Sequence, residues 1–413
     1  MALEITALRP DTALLTLPWS TPLVDWPEDI LAALPRGISR HIVRFVRLGG
    51  SVYAVKEIKA DIARREYEML RNLQRLDLPT VEPAAVVSGR ETPDGIPLDA
   101  CLVTRHLQFS LPYRALYSQK LRKGTAVRLI DALAVLLVRL HLAGFFWGDV
   151  SLSNTLFRRD AGAFAAYLVD AETGEMRPQL SDGQREHDLE IARVNIAGEL
   201  MDLEAGGLLH EDRDPIEVSE RIVTRYRELW DELTGPEVIG EGDAWKVDDR
   251  IRRLNEIGFD VGEVSITTDI QGTTVHLQPK VVDAGHHSRR LLRLTGLDVR
   301  ENQARRLLND LDSYRAATNQ QLQDEELVAH EWLNLIYEPI TRRVPKKLRG
   351  KLEPAELFHE VLEHRWYMAE QARHDFTIQE AIEDYVASVL PHKPDEATVL
   401  GFDPGDANEA ETG

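Results

Sequence analysis

LHLAGFFWGDVSLSNTLF, residues 140 to 157, and LVDAE, residues 168 to 172, decide how this chain is read. Ahead of them Leu129, Ile130, Leu133, Leu137 and Leu140 fall on one face of a helix that Thr125 can cap and Gly144 can end. After Gly144 the pattern changes to short β-rich pieces, NTLF and AYLVD, around a loop. Asp149 and Asn154 stand five residues apart, and Asp170 ends an apolar strand sixteen residues further on. A turn between two short strands aims all three side chains into one cleft. That set suits phosphoryl transfer, which needs a carboxylate to orient the attacking hydroxyl and an amide plus a second carboxylate to hold Mg²⁺ against the phosphates.

The cationic partner for such a cleft is sought upstream. HIVRFVRLGGSVYAVKEI, residues 41 to 58, reads as two strands around a Gly49-Gly50 turn and puts Lys56 on the second. Ile62, Met69, Leu70, Leu73 and Leu76 then recur at helical spacing until Pro79 stops the pattern. A strand pair with a turn at Pro93-Asp94-Gly95 ends in CLVTRHL, so the order is strand, strand, helix, strand, strand. Taken singly, Lys56 is a solvated strand lysine and Glu66 a helix-face charge. Their order and their distance from Asp149 turn both toward the cleft, and the spacing to Leu70 and Leu73 favours Glu66 over Glu68.

With these pieces in place the chain resembles the protein-kinase-like superfamily, and within it the atypical branch. WGDVSLSN is similar to the H-G-D-x-S-x-x-N loop of Rio-type and lipopolysaccharide-kinase-type enzymes. The resemblance implies an α+β class, a bilobal protein-kinase-like fold with an N-lobe over 37–110 and a C-lobe over 111–233. It also implies ATP and Mg²⁺. Asp149 would be the catalytic carboxylate that orients a hydroxyl; Asn154 and Asp170 would bind the metal. Lys56, fixed by Glu66 of VYAVKEI and REYEMLRNL, would pair with the α and β phosphates, and His106 would touch adenine at the hinge. Asp188 in EHDLEIA would brace the catalytic loop. Departures are informative too: Trp147 and Gly148 replace the usual loop His and Arg, and DAE replaces DFG, which speaks against control by activation-loop phosphorylation. No G-x-G-x-x-G precedes Lys56; PRGISRH, with Gly37 and Ser39, is the nearest phosphate cover. The reading is a kinase transferring the γ-phosphoryl group to a hydroxyl of a small molecule, saccharide or protein. A nucleotide-binding scaffold and an AMP transferase are the other readings.

Around this unit, residues 1–36 form a Pro-rich extension with Trp19 and Trp26, expected to be irregular and to dock its aromatics on the kinase-like body. TGPEVIGEG, from Thr234 to Gly242, reads as a linker. Beyond it a mostly helical domain over 243–392 is expected, with a basic amphipathic helix, a β-hairpin at TTDIQGTTVHLQPKVV, and helices near 300–317, 322–338, 353–372 and 377–389; 393–413 reads as a disordered tail. TGLDVRENQARRLLNDLDSYRA and ELFHEVLEHRWYMAEQ resemble an uncharacterised actinobacterial domain found joined to lipopolysaccharide-kinase-like sequences. It leaves a protein partner as one role for this part. His359 and His364 in HEVLEH are five apart, about 140° around a helix, and do not make a zinc pair.

The 413 residues carry a net charge of −20, which argues against nucleic-acid or anionic-membrane partners bound through concentrated Lys and Arg. Arg289, Arg290 and Arg293 form a local basic cluster, read as a solvated helix face. One cysteine, Cys101, excludes an internal disulfide and points to a reducing, cytoplasmic compartment. The most apolar stretch, 129 to 147, is broken by Asp131, Arg139 and His141, so no integral membrane segment is expected.

Overall fold

The protein's structure, a computed structural model, describes residues 2–8, 12–32, 41–117, 125–209, 213–235, 237–239, 249, 252, 254, 259–268, 275–393 and 396. Gly37 and Ser39 lie outside these residues, as do most of the basic helix expected after the linker and the tail from 397 onward.

Strands β1 (Glu4–Ala7), β2 (Ile42–Leu48), β3 (Ser51–Ile58), β4 (Glu82–Ser88) and β5 (Ala100–Arg105) form one antiparallel sheet in the order β1-β4-β5-β3-β2. Gly49 and Gly50 close the β2–β3 hairpin with φ of 53° and 77°, values a side chain would resist. Because side chains alternate across a strand, the sheet has two different faces to bury. Ile58, Val86 and Leu102 turn toward helix α1 (Ala60–Arg75), which meets them with Ala63, Tyr67, Leu70 and Leu73. Val46, Val55, Val87 and Val103 turn the other way and are covered by Leu14, Trp19, Leu23 and Trp26 of the N-terminal extension. The extension differs from the sequence expectation in one respect. Glu4–Ala7 is not irregular but pairs with β4, where an unpaired edge would otherwise stay open. Arg90, fully buried, ties the extension down by donating to the carbonyls of Trp19 and Thr21 and to Glu57.

After the short strand β6 (Ser110–Pro112) and helix α2 (Tyr113–Tyr117), the second lobe is built on α3 (Thr125–Leu142), which is apolar on most of its circumference and packs on the helix Pro215–Thr234 and the strand Ala163–Leu168. β7 (Phe145–Phe146) pairs with β10 (Glu175–Met176), and β8 (Thr155–Asp160) pairs with β9 (Ala163–Leu168). Helix α4 (Asp182–Ala205) starts in a capping box between Ser181 and Gln184, and α5 (Pro215–Thr234) starts on the Asp214 side chain with proline at its first position. Leu168 is held by Pro79 and Val81 of the sheet lobe through backbone bonds of 2.9 and 3.1 Å, so the two lobes meet just before Asp170.

Beyond α5 the expected linker contains β11 (Glu237–Ile239), which pairs with β13 (Val275–Ala284), itself the partner of β12 (Phe259–Thr268). Helices α6 (His286–Thr295), α7 (Glu301–Ala317), α8 (Glu325–Trp332), α9 (Glu338–Arg342), α10 (Pro354–Ala372) and α11 (Ile378–Asp384) come next. α8 runs into α9 through a π-helical turn at Leu333–Tyr337, just before Pro339. These helices enclose a core of their own around Trp332, Tyr337, Phe358 and Tyr385. Leu254 and Phe259, in contrast, are buried in the core of the second lobe. Lys393 and Glu396, where the tail begins, are ion-paired with Glu360 and Arg159. Among the described residues no helix is long and apolar enough to cross a membrane.

Candidate active site

Register fixes which face of the sheet carries Lys56. Lys56 lies opposite Val43 and Leu102, and Ala54 opposite Phe45 and Thr104, so these side chains share the face away from the extension. Lys56 Nζ sits 3.0 Å from Glu66, 2.7 Å from Asp170 and 3.2 Å from Glu172. Glu66 is almost fully buried on α1, whereas Glu68 is exposed, so the choice between them is settled by burial and contact. His41 reaches the same cluster through Glu172 at 3.1 Å.

Three carboxylates around one ammonium cannot all be compensated. Burial, reinforced by the Asp170 charge, pushes the Glu66 carboxyl up to about 8 against the pull of Lys56. Asp170 goes the other way: burial opposes its charge, yet Lys56 and the Glu172 backbone N–H hold its carboxyl below the ordinary value. Burial likewise opposes the Lys56 charge, but Glu66 and Asp170 outweigh it and the ammonium is held above its usual range. Glu66, Asp170 and Glu172 each bring an oxygen within 4.8 Å of the others, a spacing that a divalent cation can bridge.

The loop that carries Asp149 is held from beneath. Asp188, completely buried on α4, accepts from the backbone N–H groups of Trp147 and Gly148, both at 2.7 Å, and contacts His141 at 3.1 Å. Gly148 has φ 75°, a left-handed backbone conformation that favours glycine at this position of the loop. Trp147, fully buried, donates its indole N–H to the Asp170 carbonyl at 2.9 Å and so fastens the loop to the segment after β9. Further along, Leu152 and Ser153 donate their N–H groups to Glu199 at 2.6 and 2.9 Å. Asn154 Nδ2 donates to the Asp149 carbonyl and side chain at 3.0 and 3.2 Å, and Asn195 Nδ2 donates to the other Asp149 oxygen at 3.3 Å.

Asn154 and Asp170 are brought side by side by the β8–β9 ladder, with Val169 N donating to the Asn154 carbonyl at 3.0 Å. An amide and a carboxylate oxygen form a hard donor set of the kind Mg²⁺ takes. His106 comes directly after β5, edge-on to Phe45 with ring centroids 5.6 Å apart. Its Nε2 is buried without a hydrogen-bond partner, and burial lowers its pKa to about 4, so the ring is neutral and has one polar atom to offer a base. Of the sequence-predicted residues, Lys56, Glu66 and Asp170 are in mutual contact, and Asn154 contacts Asp149. Glu172, Asn195 and Glu199 were not expected; the acidic DAE in place of DFG is the one sequence signal that pointed toward Glu172.

A search of curated proteins finds no match to this chain. Among solved structures the chain is similar to "WaaP in complex with acyl carrier protein", with 17% identity over 62% of this chain and 99% of that one and a TM-score of 0.37. Residues 228–390 match the family model described as "Domain of unknown function (DUF4032)". Residues 45–197, which hold every contact of the cleft except those of His41 and Glu199, match the model of the "Lipopolysaccharide kinase (Kdo/WaaP) family". The chain thus carries a lipopolysaccharide-kinase-family domain joined to a domain of unknown function.

Proposed function

We propose that the protein is an ATP-dependent kinase that moves the γ-phosphoryl group to a hydroxyl of a saccharide, another small molecule or a protein. The observation that carries the proposal is Lys56 standing within 3.0 Å of both Glu66 and Asp170 while the Asp149 loop is pinned by Asp188. In this reading Lys56, oriented by Glu66, meets the α and β phosphates, and His106 takes one edge of adenine beside Phe45. Gly37 and Ser39 belong to the segment that would cover the phosphates. Asp149, its carboxylate fixed by Asn154 and Asn195, orients the acceptor hydroxyl and takes its proton. Asn154 and Asp170 would hold Mg²⁺, which when bound neutralises charge on the transferred group. The residues between 37 and 233 act as one catalytic unit, and 243–392 form a helical unit joined to it. The lone, buried Cys101 supports a cytoplasmic setting.

The test is titration of ATP with and without Mg²⁺ into the unaltered chain and Asp170→Ala, then ADP release and product mass on the same samples. Binding that needs both Mg²⁺ and Asp170, with ADP as product, supports a kinase. Pyrophosphate release with an added AMP would replace it by adenylyl transfer, and no binding at millimolar nucleotide would leave a scaffold.

A further inference from the structure

A second concave site lies away from the Lys56 cleft. The C-terminal end of α1, one face of α3, strand β9, and helices α6 and α7 enclose a cavity of about 800 Å³, a size that accommodates a nucleotide-sized ligand. None of Lys56, Asp149, Asn154 and Asp170 lines it. Its wall carries eight arginines, no lysine and six carboxylates, in a chain whose net charge is −20.

What matters is which of these charges are already compensated. Glu353 is shared by Arg158 and Arg300. Asp160, buried, accepts from the backbone and side chain of Asn302 and from Gln303 N. Glu301 accepts from His287 and Ser288, and Asp131 pairs with Arg225. Arg71, Arg75 and Arg128, in contrast, have no ion-pair partner among the described residues. Arg71 lies over the Tyr67 ring, Arg75 meets the Asn72 amide oxygen, and Arg128 donates to the Gly162 carbonyl. Arg158, Arg300 and Arg289 are thus paired with Glu353 and Asp77, while Arg71, Arg75 and Arg128 face Asp298 as the one lining acid without an ion pair or hydrogen bond among the described residues, so these three arginines leave the cavity a positive surplus. Arginine is also the residue whose fork matches phosphate oxygens in pairs. Phe164, Tyr167 and Phe259 add an apolar wall for an organic group.

We propose that this cavity, at the junction of the kinase-family domain and the C-terminal helices, binds an organic ligand carrying two or more phosphate groups through Arg71, Arg75 and Arg128. The site is independent of the catalytic reading above. Sodium pyrophosphate is the probe, titrated calorimetrically into the full chain without Mg²⁺. The unaltered chain and Asp170→Ala bind it alike. The double variant Arg71→Glu/Arg75→Glu and the single Arg128→Glu each bind it about tenfold or more weakly, the loss expected for a charge-assisted contact. Arg75 and Arg128 are exposed and Arg71 half-buried, so the folds are expected to survive; circular dichroism checks this, and Arg71→Gln/Arg75→Gln serves if a charge reversal unfolds the chain. Hydrogen exchange with pyrophosphate should slow in 286–305, which forms the opposite wall. Equal affinity in the arginine variants, binding lost only in Asp170→Ala, or no binding at all would each overturn the proposal.

Discussion

The hairpin β8–β9 has a cluster of buried charge at each end, and the two are built differently. At its open end Asp170 contacts Lys56, which three carboxylates surround, and Asn154 bonds the neighbouring Val169 N–H through its carbonyl. At its turn Arg158, Arg159 and Asp160 meet the C-terminal helices: Asp160 accepts from the start of α7, Arg300 donates to the Arg159 carbonyl, and Ala161 N donates to Glu356 at 2.7 Å. Arg158 and Arg300 share Glu353, and Arg159 pairs with Glu396. At the turn end each of these carboxylates meets a guanidinium or an N–H group from the other side of the joint, while Arg158 Nε and Gln303 Oε1 are buried without a hydrogen-bond partner. The open end keeps an excess of negative charge, which costs stability unless a cation answers it. The open end sets three carboxyl groups against one ammonium, the turn end four (Asp160, Glu353, Glu356 and Glu396) against three guanidiniums (Arg158, Arg159 and Arg300), so the larger surplus lies at the end proposed to do chemistry.

The comparison is most exposed at Asp149. Asp149→Ala removes the carboxylate proposed to orient the acceptor and leaves the Asp188 brace intact, so kcat should fall by about a hundred- to a thousandfold, while the unfolding temperature barely moves. Unchanged turnover in a folded variant would remove Asp149 from the mechanism. At the joint the balance of effects is reversed. Glu353→Gln leaves two largely buried guanidiniums without their carboxylate and should lower stability by about 3 kcal/mol in urea unfolding. ATP affinity should stay within about twofold, because distant, independent sites rarely couple by more than a few tenths of a kcal/mol. A loss of ATP binding as large as the loss of stability would mean that the two ends of the hairpin work as one unit.

Legibility in the sequence divides along the same line. Asp149, Asn154 and Asp170 were legible because one loop and one hairpin carry them, at spacings a short segment can encode. Lys56 and Glu66 were legible because a strand and the next helix supply them in order. Asn195 and Glu199 were not, since they reach the loop from more than forty residues away on α4, where they look like ordinary helix-face polar residues. The joint was still less visible: Asp160 and Gln303 are separated by 143 positions, and neither is unusual in its own segment. β1 escaped for a related reason. Four residues of EITA carry little pattern, and their strand identity comes from the β4 edge they pair with.

The finest test concerns the proton that the crowded end retains. With Glu66 raised to about 8, the folded chain holds a proton that the unfolded chain has already released near the ordinary glutamate value. This contribution to stability is full at low pH and is lost as pH rises through about 8. Activity should run the opposite way, because a charged Glu66 orients the Lys56 ammonium better than a neutral one. Between about pH 7 and pH 9, kcat/KM for ATP should therefore rise by about tenfold, the span of one ionisation centred near 8. In Glu66→Gln the side chain cannot ionise, so the rise should flatten at a low plateau. A rise that survives unchanged in Glu66→Gln would assign the ionisation to another group and would mean that the three carboxylates share their charge differently. A flat profile in the unaltered chain would mean that Glu66 is already ionised at neutral pH, with Asp170 turned away from Lys56 in the working enzyme.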